Sequence, residues 1–365
     1  MSGRAEFLFV TCQVGAEPAV KSELARRWPV LRIAYSRPGF LTFKLPPEHS
    51  FAADFDLDSV FARSYGFSLG KVAGEDRDAM ARDVWGVWGE RPVTRIHVWE
   101  RDAAAPGERG FEPSITSGAV EIAEALGHQN PRPGQLSAKS LDLRQPARPG
   151  DCVLDCVIVR PGEWWVGFHQ ARSGPSQWPG GLMSLELPPD AVSRAWLKME
   201  EALRWSQLPI PPGARCAEIG SAPGGASQAL LGRGYSVIGI DPADMAPAVL
   251  GHPHFTHIRR RVVQVRRREF RPVRWLMADM NVAPRYTLDA VEAIVTHREM
   301  SIRGMLLTLK LFEWQLADEL PKYVERVRRW GYNLVRVRQL QHNRQEVCVA
   351  ALQKPFRRKP FVRHA

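Results

Sequence analysis

No apolar run in this 365-residue chain approaches the roughly 20 residues that a membrane-spanning helix needs. The N-terminus leads into only four apolar residues, Phe7 to Val10, too few for the core of a signal peptide. A soluble, cytoplasmic protein with no membrane partner is the expectation. Cysteine is scarce: Cys12, Cys152, Cys156, Cys216 and Cys348 are odd in number, scattered, and mostly set in apolar strand-like runs. That usage fits reduced core residues and excludes a disulfide framework. Cys152 and Cys156 are close enough for a metal clip, but no second Cys or His pair completes four ligands, and no metal is expected. The chain also has no internal repeat, no long low-complexity tract, no Gly-x-Gly-x-x-Gly and no Gly-Lys-Ser/Thr after a glycine turn. The last two absences argue against a dinucleotide or nucleoside-triphosphate cradle.

What is present is an ordinary globular composition, 44% hydrophobic and 24% charged, long enough for two or three domains. The net charge of +11 is uneven. Residues 1–190 hold 21 Lys+Arg against 24 Asp+Glu, and residues 191–365 hold 29 against 15, so the halves carry −3 and +14. The basic residues concentrate in Arg259-Arg260-Arg261, Arg266-Arg267-Arg268, Arg271 and Arg274, and again in the tail at Lys354, Arg357, Arg358, Lys359 and Arg363. Such density suits a polyanion partner, although residues 354–365 alone read better as a solvated or disordered basic tail.

The first half reads as two small α+β modules, residues 1–75 and 76–170. Strands are expected at Phe7–Thr11, Leu31–Tyr35 and Phe40–Leu45, and helices at Glu17–Trp28, Asp76–Trp88 and Ser114–Leu126. A strand at Arg95–Trp99 and a hairpin pairing Asp151–Val159 with Trp164–Phe168 complete it. No catalytic spacing appears there, and the tryptophans, His97, His128 and His169 read as packing or surface residues. Gly- and Pro-rich residues 171–190 read as a linker. From 191 to 355 strands and helices alternate: a helix at Val192–Leu203, strand ends at Asp279, Lys310 and near Leu352, and helices at Leu288–Met300 and Leu316–Trp330. This alternation gives an α/β fold of Rossmann-like type, a parallel sheet with helices on both faces whose ligands sit beyond the carboxyl ends of the strands. Residues 356–365 are a basic tail.

One stretch organises that second domain. An apolar run ending at Ile219 enters the turn Gly220-Ser221-Ala222-Pro223-Gly224-Gly225, after which Ala226–Leu231 has strong helix propensity. Glycines let a ligand approach bare backbone. The next apolar run, Tyr235–Ile240, ends in Asp241, a spacing that suits a carboxylate accepting hydrogen bonds from a ribose diol. S-adenosylmethionine, which has a ribose and no phosphate, fits this turn better than a nucleotide; a plain βα turn of any doubly wound domain is the bland alternative.

Three further signals align with the turn. Trp275-Leu-Met-Ala-Asp279 ends in a carboxylate, Met305-Leu-Leu-Thr-Leu-Lys310 ends in a lysine, and Glu346-Val-Cys-Val-Ala-Ala351 begins with a glutamate; Lys198 lies on the helix before the sheet. In chain order Lys198, Asp279, Lys310 and Glu346, with the turn between the first two, resemble the tetrad of 2′-O-ribose RNA methyltransferases. The segments Val192–Ala202, Leu309-Lys310-Leu311 and Gln339-Leu340-x-His342-x-Arg344-x-Glu346-Val347 narrow the resemblance to the large-subunit rRNA methyltransferase M family. Phe61-Ala62-Arg63 and Gly167-Phe-His-Gln-Ala-Arg-Ser-Gly-Pro-Ser-Gln-Trp178 extend it over nearly the whole chain.

This resemblance implies a ferredoxin-like and THUMP region before a Rossmann-like catalytic domain. It also implies S-adenosylmethionine-dependent methylation of a cytidine 2′-hydroxyl in large-subunit (23S) rRNA or its assembly precursor. Two positions depart from the family pattern: Ala195 stands where many members have serine, and Arg261 where many have an acidic cofactor contact. A ribose hydroxyl is a poor nucleophile near neutral pH, so it must be held in line with the methyl group and its proton withdrawn or its charge stabilised. Lys310 is the expected base, Lys198 the stabiliser of the alkoxide, Asp279 the orienting carboxylate beside the cofactor methionine, and Glu346 a hydrogen-bonding partner of a lysine or the ribose. Gly220 to Gly225, Asp241 and Asp279 are the expected cofactor contacts. A non-catalytic RNA-binding or ribosome-assembly factor is the rival reading. A base or protein amine methyltransferase is weaker, since Asp279-Met-Asn-Val-Ala-Pro284 replaces the Asn/Asp-Pro-Pro-aromatic motif that chemistry uses.

Overall fold

The computed structural model describes residues 5–48, 51–172 and 174–353. The basic tail lies outside them. The chain divides into two compact units, one of residues up to Pro188 with Leu311–Asp318 and Arg338–Val347, the other of Pro189–Lys310, Glu319–Val337 and residues from Cys348 on. The stretch expected as a linker is therefore packed onto the first unit as far as Pro188, and Pro179, Gly180, Gly181 and Leu182 within it are buried. The continuous domain expected over 191–355 lends two segments to the first unit. Among the described residues no helix is long and apolar enough to cross a membrane.

The first unit holds β1 (Phe7–Thr11), α1 (Glu17–Arg27), β2 (Arg32–Arg37), β3 (Phe40–Lys44), β4 (Ser64–Ala73), α2 (Arg77–Trp88), β5 (Arg95–Glu100), α3 (Ser117–His128), α4 (Ala138–Leu141), β6 (Cys152–Arg160) and β7 (Glu163–Gln170). Its seven strands form one sheet in the order β2-β3-β1-β4-β7-β6-β5, so the two modules expected before and after residue 75 share a sheet. Helix α2 begins where Asp76 accepts the Ala79 N–H, and α3 where Thr116 accepts that of Ala119. The second cap starts α3 three residues later than the apolar pattern suggested. Both helices cover one face of the sheet, with Met80, Val84, Trp85, Ile122 and Leu126 packed on Val98, Leu154, Cys156 and Val166. The Trp85 indole donates to the Leu126 carbonyl at 2.9 Å and ties the helices together.

Buried charge fixes the remainder of this unit. Glu23 on α1 accepts the backbone N–H groups of Val60 and Phe61, pinning the irregular segment before β4. Arg63, at the end of that segment, donates two hydrogen bonds to Asp102 at 2.5 and 2.6 Å, and both side chains are buried. The segment Arg338–Val347 is held by the Gln341 amide donating to the Pro113 carbonyl and by the Arg344 guanidinium donating to that of Pro106.

The second unit holds α5 (Ala195–Ser206), β8 (Arg215–Ile219), α6 (Gly225–Gly232), β9 (Ser236–Ile240), α7 (Pro247–Leu250), β10 (Phe255–Ile258), β11 (Trp275–Ala278), α8 (Pro284–Val295), β12 (Gly304–Lys310), α9 (Leu320–Arg329), β13 (Leu334–Arg338) and β14 (Glu346–Leu352). Its sheet runs β10-β9-β8-β11-β12-β14-β13, and the pairs from β10 through β12 are parallel. This is the expected α/β architecture. Three helix boundaries differ from expectation. Helix α5 starts at Ala195 rather than Val192; α8 spans 284–295 rather than 288–300 because Pro284 supplies a preset first turn; and a 3-10 segment, Trp314–Glu319, precedes α9. Strand β13 was not anticipated.

Asp102→Ala removes the carboxylate that pairs the buried Arg63 guanidinium. It should cost about 3–5 kcal/mol and lower the melting midpoint by roughly 10 °C. Thermal unfolding followed by far-UV circular dichroism checks this, and an unchanged midpoint contradicts it.

Candidate active site

The carboxyl ends of β8, β9 and β11 converge because the residue after β8 has no side chain. Gly220 sits at φ +80°, and a Cβ there would lie 2.4 Å from the Asp279 carbonyl oxygen. Two backbone hydrogen bonds lock the approach: Gly220 N–H donates to the Ile240 carbonyl and Asp279 N–H to that of Ile219, each at 3.0 Å. At the other end of the turn, a Cβ on Gly225 would fall 2.2 Å from Ser193 Oγ, so the start of α6 packs directly on the residues leading into α5. The Ala222–Pro223 peptide bond is cis, and the Pro223 carbonyl accepts from Ala246 N–H. Ser221 is buried, its hydroxyl 3.5 Å from Met245 Sδ.

Asp241, the residue after β9, accepts the Ala222 N–H at 3.1 Å and the Ala243 N–H at 2.8 Å. The carboxylate expected only to face a ribose thus also fixes the turn. Beyond these strand ends lies a cleft of about 800 Å³, lined among others by Gly220, Ala222, Asp241, Asp279 and Tyr286. Arg260, Arg261 and Arg267 also line it, which places the densest arginine run at the cleft. Arg259, Arg268 and Arg271 of the same run pair with Asp244, Glu269 and Glu299.

Among the expected tetrad residues, Lys198, Asp279 and Lys310 meet. Lys310, last in β12, places its Nζ 2.7 Å from Asp279 Oδ1, and Lys198 on α5 places its Nζ 3.7 Å from Asp279 Oδ2. All three side chains retain 15–22% of their exposure, so the cluster is shielded yet open to a ligand. Glu346, first in β14, is buried, groups with the first unit, and accepts a hydrogen bond from the Asn343 amide at 3.2 Å. The floor of the cleft suits a ligand with a ribose diol and a positive centre. It offers two carboxylates, bare glycine backbone and the apolar side chains of Ile219, Ile240 and Val262. S-adenosylmethionine therefore fits the residues present.

Sequence reasoning passed over Glu218. It sits in the middle of β8 beneath the turn, fully buried, with the Ser227 hydroxyl of α6 donating to its carboxylate. Burial pushes its carboxyl up to about 8; the Ser227 bond opposes that and the nearby charges of Asp279 and Asp241 reinforce it. A glutamate in an apolar strand, Arg215-Cys-Ala-Glu-Ile219, is the signal that was available.

The folded-state value of about 8 exceeds the ordinary 4.5, so the native state binds the extra proton. Stability from this group is fully present below pH 4.5 and is lost as pH rises through about 8. Glu218→Gln should remove that loss, which is on the order of a few kcal/mol for such a shift. Melting midpoints between pH 5 and 8.5 should fall for the wild type relative to the variant, and parallel profiles would contradict the assignment.

Residues 191–359 match the family model described as FtsJ-like methyltransferase. Among curated proteins, the chain is 27% identical over 361 residues to ribosomal RNA large subunit methyltransferase M of Xanthomonas oryzae pv. oryzae, covering 94% of this chain and 99% of that one. It is 28% identical over 311 residues to the protein of the same name from Laribacter hongkongensis, with 80% of each chain covered. To that of Xylella fastidiosa it is 34% identical over 182 residues, 48% of this chain and 51% of the other.

Proposed function

We infer that this chain, a homologue of the ribosomal RNA large subunit methyltransferase M proteins with an FtsJ-like methyltransferase domain, methylates a ribose 2′-hydroxyl of 23S rRNA. The reading goes one step further, to a cytidine as the target and to the cytoplasm, where that RNA is found. The observation that carries it is Asp279 held between Lys310 and Lys198 at the mouth of a glycine-floored cleft.

S-adenosylmethionine, when bound, supplies an electrophilic methyl on a sulfonium. The chain's own residues do the rest. Gly220 and its neighbours offer backbone without side chains, and Asp241 accepts from the ribose diol while keeping the turn in place. Lys310 takes the 2′-hydroxyl proton and Lys198 stabilises the oxygen as its charge develops. For Lys310 to act as a base it must first give up its own proton, and Asp279 then keeps Lys198 as its counter-charge. That is the advantage of one carboxylate between two ammonium groups. Glu346 steadies this end of β14 through Asn343.

The RNA backbone is met by the basic half. Arg260 and Arg261 are exposed at the cleft rim and suit phosphates of the substrate strand, while the −3 charge of the first half leaves it a part in shape recognition as a THUMP-like region.

Lys310→Ala should lower single-turnover methyl transfer by roughly 10²- to 10⁴-fold and leave cofactor and RNA affinities within a few-fold, because the ammonium acts mainly in the transition state. Lys310→Arg should rescue little, since a guanidinium does not release its proton. Near-normal transfer by the alanine variant would sink the assignment.

A further inference from the structure

The first unit contains a polar cluster that methyl transfer does not use. His97 on β5, Asp155 on β6 and His169 on β7 are all buried, and one ligating atom from each lies within 4.8 Å of the others. Sequence reading had set both histidines aside as packing or surface residues. Pairing explains how they meet: His97 stands opposite Asp155 in the parallel β5–β6 ladder, and Asp155 stands opposite Gly167, two residues before His169, in the antiparallel β6–β7 ladder. All three side chains therefore leave the same face of the sheet. Gly167 gives that face room. Asp155 reaches across it as far as Gly66, where a Cβ would come within 2.9 Å of its Oδ2.

Packing alone leaves this cluster incomplete. His169 Nδ1 is 2.7 Å from Asp155 Oδ2, and its Nε2 is 2.8 Å from the Ser176 carbonyl, which can only accept. The Nε2 atom therefore donates to that carbonyl, and a second proton lies in the short Nδ1–Oδ2 contact, which a bound metal ion would displace. Neither nitrogen of His97, with 0% exposure, has a hydrogen-bond partner, nor does Asp155 Oδ1, which is 4.0 Å from His97 Nδ1. Along the same strands, Trp99, Val157 and Leu182 form one apolar cluster and Ala147, Val153 and Ala171 another, while Arg95, two residues before His97 on β5, is the charged group that acts on His97 from the same strand. The His97 nitrogens and Asp155 Oδ1 thus stand without hydrogen-bond partners beside the His169–Asp155 hydrogen bond, and the carbonyl behind His169 is the kind of partner that orients metal-ligating histidines.

We propose that His97, Asp155 and His169 form a binding site for a divalent transition-metal ion of the zinc type, a site separate from the methyl-transfer cleft. Ligand atoms around tetrahedral zinc lie about 3.4 Å apart; the two separations from Asp155 are 2.7 Å and 4.0 Å, and all three ligand atoms lie within 4.8 Å of one another, so side-chain rotations close the site. The two-histidine, one-carboxylate set suits zinc and cobalt over calcium or magnesium, which take oxygen ligands. Among the described residues no fourth Cys, His, Asp or Glu joins the group, which leaves one coordination position for water or a backbone oxygen. The ion joins β5, β6 and β7, and through the Ser176 carbonyl it holds the following loop.

The test uses the full chain, stripped with a chelator and titrated with Co²⁺ and Zn²⁺. One equivalent of Co²⁺ should give the visible absorption of a low-coordinate site, Zn²⁺ should displace it, and saturating Zn²⁺ should raise the melting midpoint by about 5 °C or more. His97→Gln and Asp155→Asn should weaken Co²⁺ binding by at least about 10-fold. A His252→Ala/His254→Ala variant, removing two histidines whose rings contact each other in the second unit, should leave it unchanged. Folded wild-type protein with no Co²⁺ band and no zinc-dependent midpoint overturns the proposal, even if the variants do not fold. So does binding that survives His97→Gln and disappears with the His252/His254 pair.

Discussion

The second unit depends on one close approach, that of Gly220 to the backbone carbonyl of Asp279. With no Cβ at 220, the ends of β8 and β11 come together at a distance that any other residue would prevent. Everything in the cleft follows from that contact. It sets Asp279 at the point where Lys310, arriving from β12, and Lys198, arriving from α5, both reach its carboxylate. The turn that Gly220 begins is then held from the side by Asp241 and from below by the start of α6. A methyl-transfer site needs reactants held in line more than it needs reactive side chains, and a rigid backbone junction provides this.

Charge is arranged in layers around the junction. Glu218 lies beneath the turn, Asp241 and Asp279 line the floor, two lysines flank Asp279, and Arg260 and Arg261 stand at the rim. An anionic floor favours a cationic cofactor, and a basic rim favours a polyanionic substrate. The burial that raises the Glu218 carboxyl keeps a third negative charge out of the floor at neutral pH, where it would compete with Asp279 and Asp241 for the lysines.

Much of this was legible in the sequence because the signals were local. The glycine turn is marked by its own composition, and the strand ends at Asp279 and Lys310 and the first residue of β14 by an abrupt boundary between apolar and charged residues. What was missed depends on distant partners or mixed patterns. Strand β13, Leu-Val-Arg-Val-Arg, is an edge strand whose arginines mask its alternation, and Arg336 lies over the Trp205 ring. Helix α8 begins in Pro-Arg-Tyr, which reads as loop until the proline is placed in the first turn. The buried Arg63–Asp102 pair, Glu23 beneath residues 60 and 61, and the His97–Asp155–His169 cluster join residues far apart in the chain, and no spacing announces them. The motif around His342 and Arg344 was legible as a motif only. The structure gives it a packing role in the first unit, through Glu112 and the Pro106 carbonyl.

The central claim is that the nucleophile is a sugar hydroxyl rather than a base nitrogen or carbon. Incubating the protein with 23S rRNA and a methyl-labelled donor, then hydrolysing the RNA with alkali, tests this most directly. A 2′-O-methyl group removes the hydroxyl that alkaline cleavage requires. The account predicts label in an alkali-resistant dinucleotide whose 5′ residue is cytidine; label in ordinary mononucleotides, carried on a base, would contradict it.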